Sequence, residues 1–207
     1  MNLLVATRSA HKMAEIRRIL GGVSGLTVLD LDDAGIAADP AEDDLEVYET
    51  FEENALAKAE HFFSLSGMAT VADDSGIVVD ALGGAPGVRS KRFAPDHGLD
   101  GQERDDANNR HLVAELARVE PRARTARYVC VAALVEGPGE PILLRGEAPG
   151  LVLDEPRGSG GFGYDPFILD SEIGRTFAEM PPSEKNARSH RGAAFRALAK
   201  VLQERAG

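Results

Sequence analysis

Two apolar runs, 126–136 and 141–147, are separated only by a short bridge containing Gly137-Pro138-Gly139. A glycine-proline break this short turns the chain back on itself, so the runs are expected to form an antiparallel hairpin. The start of the chain is organised differently. Leu3-Leu4-Val5-Ala6 has the composition of a short buried strand, and Thr7-Arg8-Ser9 that of a polar turn. From Ala10 to Leu20, Met13, Ile16, Ile19 and Leu20 recur at helical spacing. Similar periodicity predicts helices over 50–66, 102–119 and 189–204. Ala55, Ala59, Phe62 and Phe63 mark the inner face of the first, Leu112, Val113, Leu116 and Val119 the second, and Ala194, Leu198, Val201 and Leu202 the third. Residues 69–72 and 77–79 are strand candidates, and 31–49 is acidic and irregular. Helices and strands with an antiparallel hairpin among them give an α/β fold with a mixed sheet. There is no internal repeat and no low-complexity linker, so 1–207 is expected to be a single domain.

Composition narrows the class of partner. The formal net charge is −11, with no basic stripe to replace phosphate counterions, which argues against binding polymeric nucleic acid. A small anionic substrate is compatible with that balance, because a few lysines and a divalent cation can hold it locally. No run approaches ~18 apolar residues, so no membrane span is expected. The first residues lack the basic start and long apolar stretch of a signal peptide. Cys130, the single cysteine, lies in an apolar run and reads as a buried structural thiol. A cytoplasmic location follows by default.

Four segments carry groups capable of chemistry. Asp73-Asp74-Ser75-Gly76 places two adjacent carboxylates at an expected strand end, a combination that suits Mg²⁺, a hard cation with a preference for oxygen ligands. A solvated turn is the alternative. Thr7-Arg8-Ser9-Ala10-His11-Lys12 lies where a strand turns into a helix, and helix N–H groups there can take phosphate. The segment could equally be a capped surface helix. In Gly161-Phe162-Gly163-Tyr164-Asp165-Pro166 an aromatic stands between two glycines, which fits a ring offered for base stacking as well as a core aromatic. Lys185, Ser189, His190 and Arg191 cluster before the last helix, where His190 is either a proton carrier or a polar contact at a helix start.

Taken in order, these segments resemble the inosine and xanthosine triphosphate pyrophosphatases, the house-cleaning enzymes related to yeast Ham1. The likeness runs through Thr7 and Lys12, Thr50-Phe51-Glu52-Glu53-Asn54-Ala55, Lys58, and Ala72-Asp73-Asp74-Ser75-Gly76. It continues through Gly83-Gly84-Ala85-Pro86-Gly87, Gly161 to Pro166, Ala178-Glu179-Met180, Lys185 and Ser189-His190-Arg191-Gly192. The resemblance implies an elongated mixed central sheet flanked by helices, in two lobes with a substrate cleft between them, and a homodimer. It implies hydrolysis of ITP, dITP or XTP to the monophosphate and pyrophosphate, with Mg²⁺ as cofactor. Asp74 would be the general base, and Asp74 with Glu46 the metal-side carboxylates. Thr7, Arg8, Ser9, Ala10, His11, Lys12, Lys58 and Ser75 would line the triphosphate. Phe162 would stack on the base, with Gly163, Tyr164 and Asp165 around it, and Lys185, His190 and Arg191 would read its edge. Arg8 and Ser9 depart from the glycine and asparagine common in the family's first turn, as Arg89 does from a tyrosine and Lys91 from an alanine. A pyrophosphatase of the related Maf type and a purine-triphosphate sensor are the competing readings. Phe162 with the Lys185 and His190-Arg191 cluster favours a purine, and the paired carboxylates favour an enzyme.

Overall fold

The computed structural model describes residues 1–95 and 98–206. Its seven strands form one sheet in the order β2-β1-β3-β4-β5-β6-β7. β1 (Asn2–Val5) runs parallel to β2 (Thr27–Leu29) and to β3 (Thr70–Val79). β4 (Thr125–Val135) and β5 (Ile142–Val152) are neighbours. Val152 N donates to Arg124 O, so the end of one strand meets the start of the other, as the hairpin expectation requires. β6 (Ile168–Asp170) and β7 (Arg175–Thr176) complete the sheet by antiparallel pairing. The sheet is therefore mixed. Among the described residues, no helix is long and apolar enough to cross a membrane.

The chain divides into two compact units. Unit 1 comprises residues 1–74, 130–146 and the chain from His190 onward; unit 2 comprises 75–129 and 147–189. In unit 1, α1 (Ala10–Leu20) and α5 (His190–Ala206) lay Met13, Ile16, Leu20, Ala194, Phe195 and Leu198 against Leu3, Val5, Val71, Cys130 and Ala132. α1 starts where Ser9 accepts a hydrogen bond from Lys12 N, the usual way to satisfy a first-turn donor. α2 (Phe51–Ser66) is capped by Thr50 and stopped by Gly67 in the left-handed region at φ +67°. In unit 2, Leu112 and Leu116 join Ile77, Val79, Tyr128, Ile168 and Phe177 in a second core.

Some boundaries differ from the sequence expectation. α3 (Gly101–Glu115) ends before 119, because the chain tightens into a turn ahead of Pro121, which cannot continue a helix. The seven-residue α4 (Pro182–Arg188) has no apolar repeat to announce it, and Ser189, extended at ψ 156°, separates it from α5. The larger correction concerns Asp73-Asp74-Ser75-Gly76, which is the middle of a ten-residue strand and not its end. Gly76 is required there: a Cβ would lie 2.4 Å from Ser90 Oγ and 2.5 Å from Gly87 O. Ser90 Oγ uses that closeness to accept from Ile77 N at 2.8 Å.

Candidate functional site

Because successive side chains on a strand point to opposite faces, the two adjacent aspartates enter different surroundings. Asp73 is 1% exposed and faces α1 and α5. Lys12 Nζ lies 3.0 Å from its Oδ2, and Arg191 Nε and Nη2 each donate to the same oxygen at 3.3 Å. Burial alone would raise its pKa. The charges of Lys12, Arg191 and Lys58 outweigh burial and hold the carboxyl far below its usual range.

Asp74 is also buried and faces α2, where Asn54 Nδ2 donates to its Oδ2 at 3.0 Å. Here burial dominates. With the negative charge of Glu46 added, it outweighs Lys12, Lys58 and the Asn54 bond, and the carboxyl is raised to about 6. Two chemically identical neighbours are thus driven apart, one permanently charged and one poised near neutrality, a common arrangement where an acid or base works at physiological pH.

Asn54 and Lys58 stand four residues apart on α2 and so share a face. Lys58 Nζ donates to Asp73 O at 2.6 Å and makes a close ion pair with Glu46. Burial works against its charge, but Glu46 and Asp73 hold its pKa above the usual value. Lys12, Lys58, Glu46 and Asp74 are therefore electrostatically coupled within unit 1. At the start of α1, Thr7 Oγ1 accepts from Ser9 N at 3.2 Å, and Ser9 Oγ from Lys12 N at 3.3 Å. Ala10 and His11 are exposed in that first turn.

Two expected contacts are engaged elsewhere. Arg8 donates to Glu42 Oε1 at 2.7 Å, to Ile36 O at 3.0 Å and to Ala37 O at 2.9 Å, so its guanidinium fastens the acidic segment 36–42. Arg191, expected at a base edge, is 2% exposed; besides Asp73 it donates to Glu15 Oε2 at 2.7 Å. A guanidinium held this way is a buried counter-charge for two carboxylates. His190 is buried at the start of α5.

Unit 2 holds the aromatic loop. Asp165, 3% exposed, accepts from Phe162 N at 2.9 Å, Lys185 Nζ at 2.6 Å and Tyr128 OH at 3.1 Å. Gly161, at φ +73°, permits this turn, since a Cβ there would come within 2.1 Å of Asp165 Oδ2. Gly163 N donates to Asp105 at 2.8 Å, its carbonyl accepts from Asn109 at 2.9 Å, and Tyr164 OH donates to Ser90 O at 2.7 Å. Tyr164 and Asp165 are therefore buried anchors. Phe162 stays half-buried, with Lys185 Nζ 4.7 Å from its ring centroid, inside cation–π range. Ser75 is also half-buried.

Asn54 and Glu15 have site roles that sequence reasoning did not assign, and Asp73, read there as half of a carboxylate pair suited to Mg²⁺, is the partner of Lys12 and Arg191. A buried asparagine on the apolar face of α2, level with Phe51 and Ala55, was the available signal for the first.

The chain is similar to known proteins along nearly its whole length. A model of the Ham1 family matches residues 3–201. A dITP/XTP pyrophosphatase of Mycolicibacterium paratuberculosis is 49% identical over 204 residues, covering 97% of this chain and 95% of that one. A dITP/XTP pyrophosphatase of Mycobacterium tuberculosis is 48% identical over 203 residues, with the same coverage. Among solved structures, a HAM1 protein from Coxiella burnetii superposes with a TM-score of 0.85 at 33% identity, covering 99% of each chain.

Proposed function

The chain belongs to the Ham1 family, and on that premise we propose that it hydrolyses ITP, dITP and XTP to the nucleoside monophosphate and pyrophosphate. The observation that carries this reading is the divergence of the adjacent aspartates, which leaves Asp74 able to accept a proton near neutral pH beside a cluster of lysines. Phosphoryl transfer asks a protein chiefly for positioning and neutralisation of charge. Lys12, Lys58, Thr7, Ser9 and the first-turn backbone of Ala10 and His11 hold the triphosphate, with Ser75 nearby. Asp74 orients a water and takes its proton. Phe162 stacks on the base within the loop built by Gly163, Tyr164 and Asp165, while Lys185 and His190 meet the base edge. Arg8 and Arg191 serve instead as internal ties.

Mg²⁺ fits the donor set in unit 1. Asp74 is raised partly by the charge of Glu46, and a cation held by both carboxylates relieves that repulsion. Among the described residues, no group of three or more His, Cys, Asp and Glu side chains forms a metal cluster. Mg²⁺ commonly takes only one or two carboxylates and fills its other positions with water and phosphate oxygens. When bound, it supplies neutralisation of the phosphate oxygens and of the departing pyrophosphate. The span of the family match supports treating 1–207 as one functional domain, and a cytoplasmic homodimer completes the proposal.

Product analysis tests the reaction. With ITP and Mg²⁺, chromatography is expected to yield IMP and pyrophosphate. IDP and orthophosphate would place the attack on the wrong phosphorus, and stoichiometric binding without release would make the protein a sensor. A second measurement concerns the base. Every base has a face to stack, so Phe162→Ala is expected to lower kcat/KM for ITP, dITP and XTP together, by ~1–3 kcal/mol in binding, with their ranking preserved. A changed ranking would assign selectivity to Phe162 itself.

A further inference from the structure

Asn54 is 1% exposed and uses its amide on two targets. Its Oδ1 accepts from Tyr48 N at 2.9 Å; its Nδ2 donates to Tyr48 O at 3.2 Å and to Asp74 Oδ2 at 3.0 Å. The backbone N–H of Tyr48 can only donate, which fixes which end of the amide is oxygen. The nitrogen must therefore face Asp74. Tyr48 lies two residues beyond Glu46, so one side chain joins the Asp74 carboxylate to the backbone that carries the second acidic group. Nothing in the assigned roles calls for an asparagine here, and a buried amide on the apolar face of α2 costs free energy unless its bonds are made.

We propose that Asn54 is a positioning residue for the reaction: its amide sets the orientation of the Asp74 carboxylate and holds segment 46–48, with Glu46, in register with it. The inference rests on the pyrophosphatase reading above and adds a residue to it. The carboxylate of Asp74 has a rotatable bond, and a donor fixed on one oxygen removes that freedom. The same amide makes a pair of bonds to the Tyr48 backbone, so a displacement of segment 46–48 is felt at Asp74. Groups that orient metal-side carboxylates in this way are worth about 10–100-fold in activity or metal affinity when removed.

Two variants separate positioning from packing. Asn54→Asp keeps the shape and the acceptor for Tyr48 N but loses the donor to Asp74. Asn54→Ser keeps a polar group too short to span both targets. The measurements are kcat and KM for ITP, thermal melting, and Mn²⁺ binding by calorimetry without nucleotide. Both variants are expected to melt cooperatively, with kcat lowered about 10–100-fold and KM within about threefold of native. Mn²⁺ affinity of Asn54→Ser is expected to fall by a similar factor. If Asn54→Ser does not fold, the volume-preserving Asn54→Asp decides the question. Native kcat in a folded variant, or a raised KM at native kcat, would overturn the proposal. A native protein that releases no pyrophosphate would sink the reaction assignment instead, and native Mn²⁺ affinity in folded Asn54→Ser would then overturn the positioning role by itself.

Discussion

Asp74→Asn is expected to lower kcat by ~10²-fold or more without lowering the melting temperature. The substitution is nearly isosteric, and an Asn oxygen can still accept from Asn54 Nδ2, which now donates at 3.0 Å. What disappears is the proton acceptor and one metal-side charge. Stability should not suffer, because the carboxylate is in a poor place for folding. Its pKa is raised to about 6, chiefly by burial, so the native state holds the proton more tightly than the unfolded chain does. Stability from this group is therefore greatest at acid pH and declines as pH rises from the ordinary aspartate value of about 3.9 toward 6. Above that, ionised Asp74 is a standing cost that Asn removes, the trade between activity and stability expected at a working site. The kinetic sign is opposite. Only the ionised form accepts a proton, so native kcat/KM should fall as pH drops below about 6. A bound cation moves that limb lower. Near-native turnover by folded Asp74→Asn across this range would rule out the general-base role.

The helical parts of this arrangement were legible because each carries a local signal. Ser9 and Thr50 cap helices whose apolar residues repeat at the right spacing, and α1, α2 and α5 lie close to their expected spans. Asp73 and Asp74 defeated the same reasoning. Two acids, a serine and a glycine have turn composition, and strand propensity is easily overridden by context. The context is remote: Lys12 comes from α1 and Arg191 from α5, 118 residues away from Asp73 in sequence. Neither periodicity nor spacing reveals a counter-charge that arrives by folding. The same distance explains Arg191. The family resemblance assigns it to the base edge, yet its partners Glu15 and Asp73 belong to elements far earlier in the chain. Tyr164 and Asp165 were recognised by their motif, but their work as anchors under Phe162 depends on Ser90, Tyr128 and Lys185.

Arg191→Ala is expected to destabilise the fold by ~3–5 kcal/mol, the usual cost of removing one partner from a buried charged set. For a chain of this length that corresponds to a fall in Tm of roughly 6–20 °C. Arg191 is 2% exposed, and its guanidinium gives two 3.3 Å bonds to Asp73 and one of 2.7 Å to Glu15. Truncation removes the charged partner that Asp73 and Glu15 share, leaving Lys12 and Lys58 as the cations that act on Asp73. The pH dependence identifies the cause. A carboxyl held below its unfolded value contributes stability that is complete above about 4 and is lost as pH falls through the lower folded value. Without Arg191, Asp73 takes up its proton at higher pH and sheds its burial cost sooner. The difference between native and variant should therefore be largest near neutrality and should narrow below about pH 4. Arg191→Lys should fall between the two, since an ammonium restores charge but not the forked geometry that reaches both carboxylates. A base-reading role predicts something else: unchanged melting, with a smaller ratio of kcat/KM for ITP over ATP. Melts at neutral and acid pH, with that ratio measured on the same samples, decide between them. A variant that melts like the native protein while losing discrimination would show that Arg191 leaves Asp73 to meet the substrate.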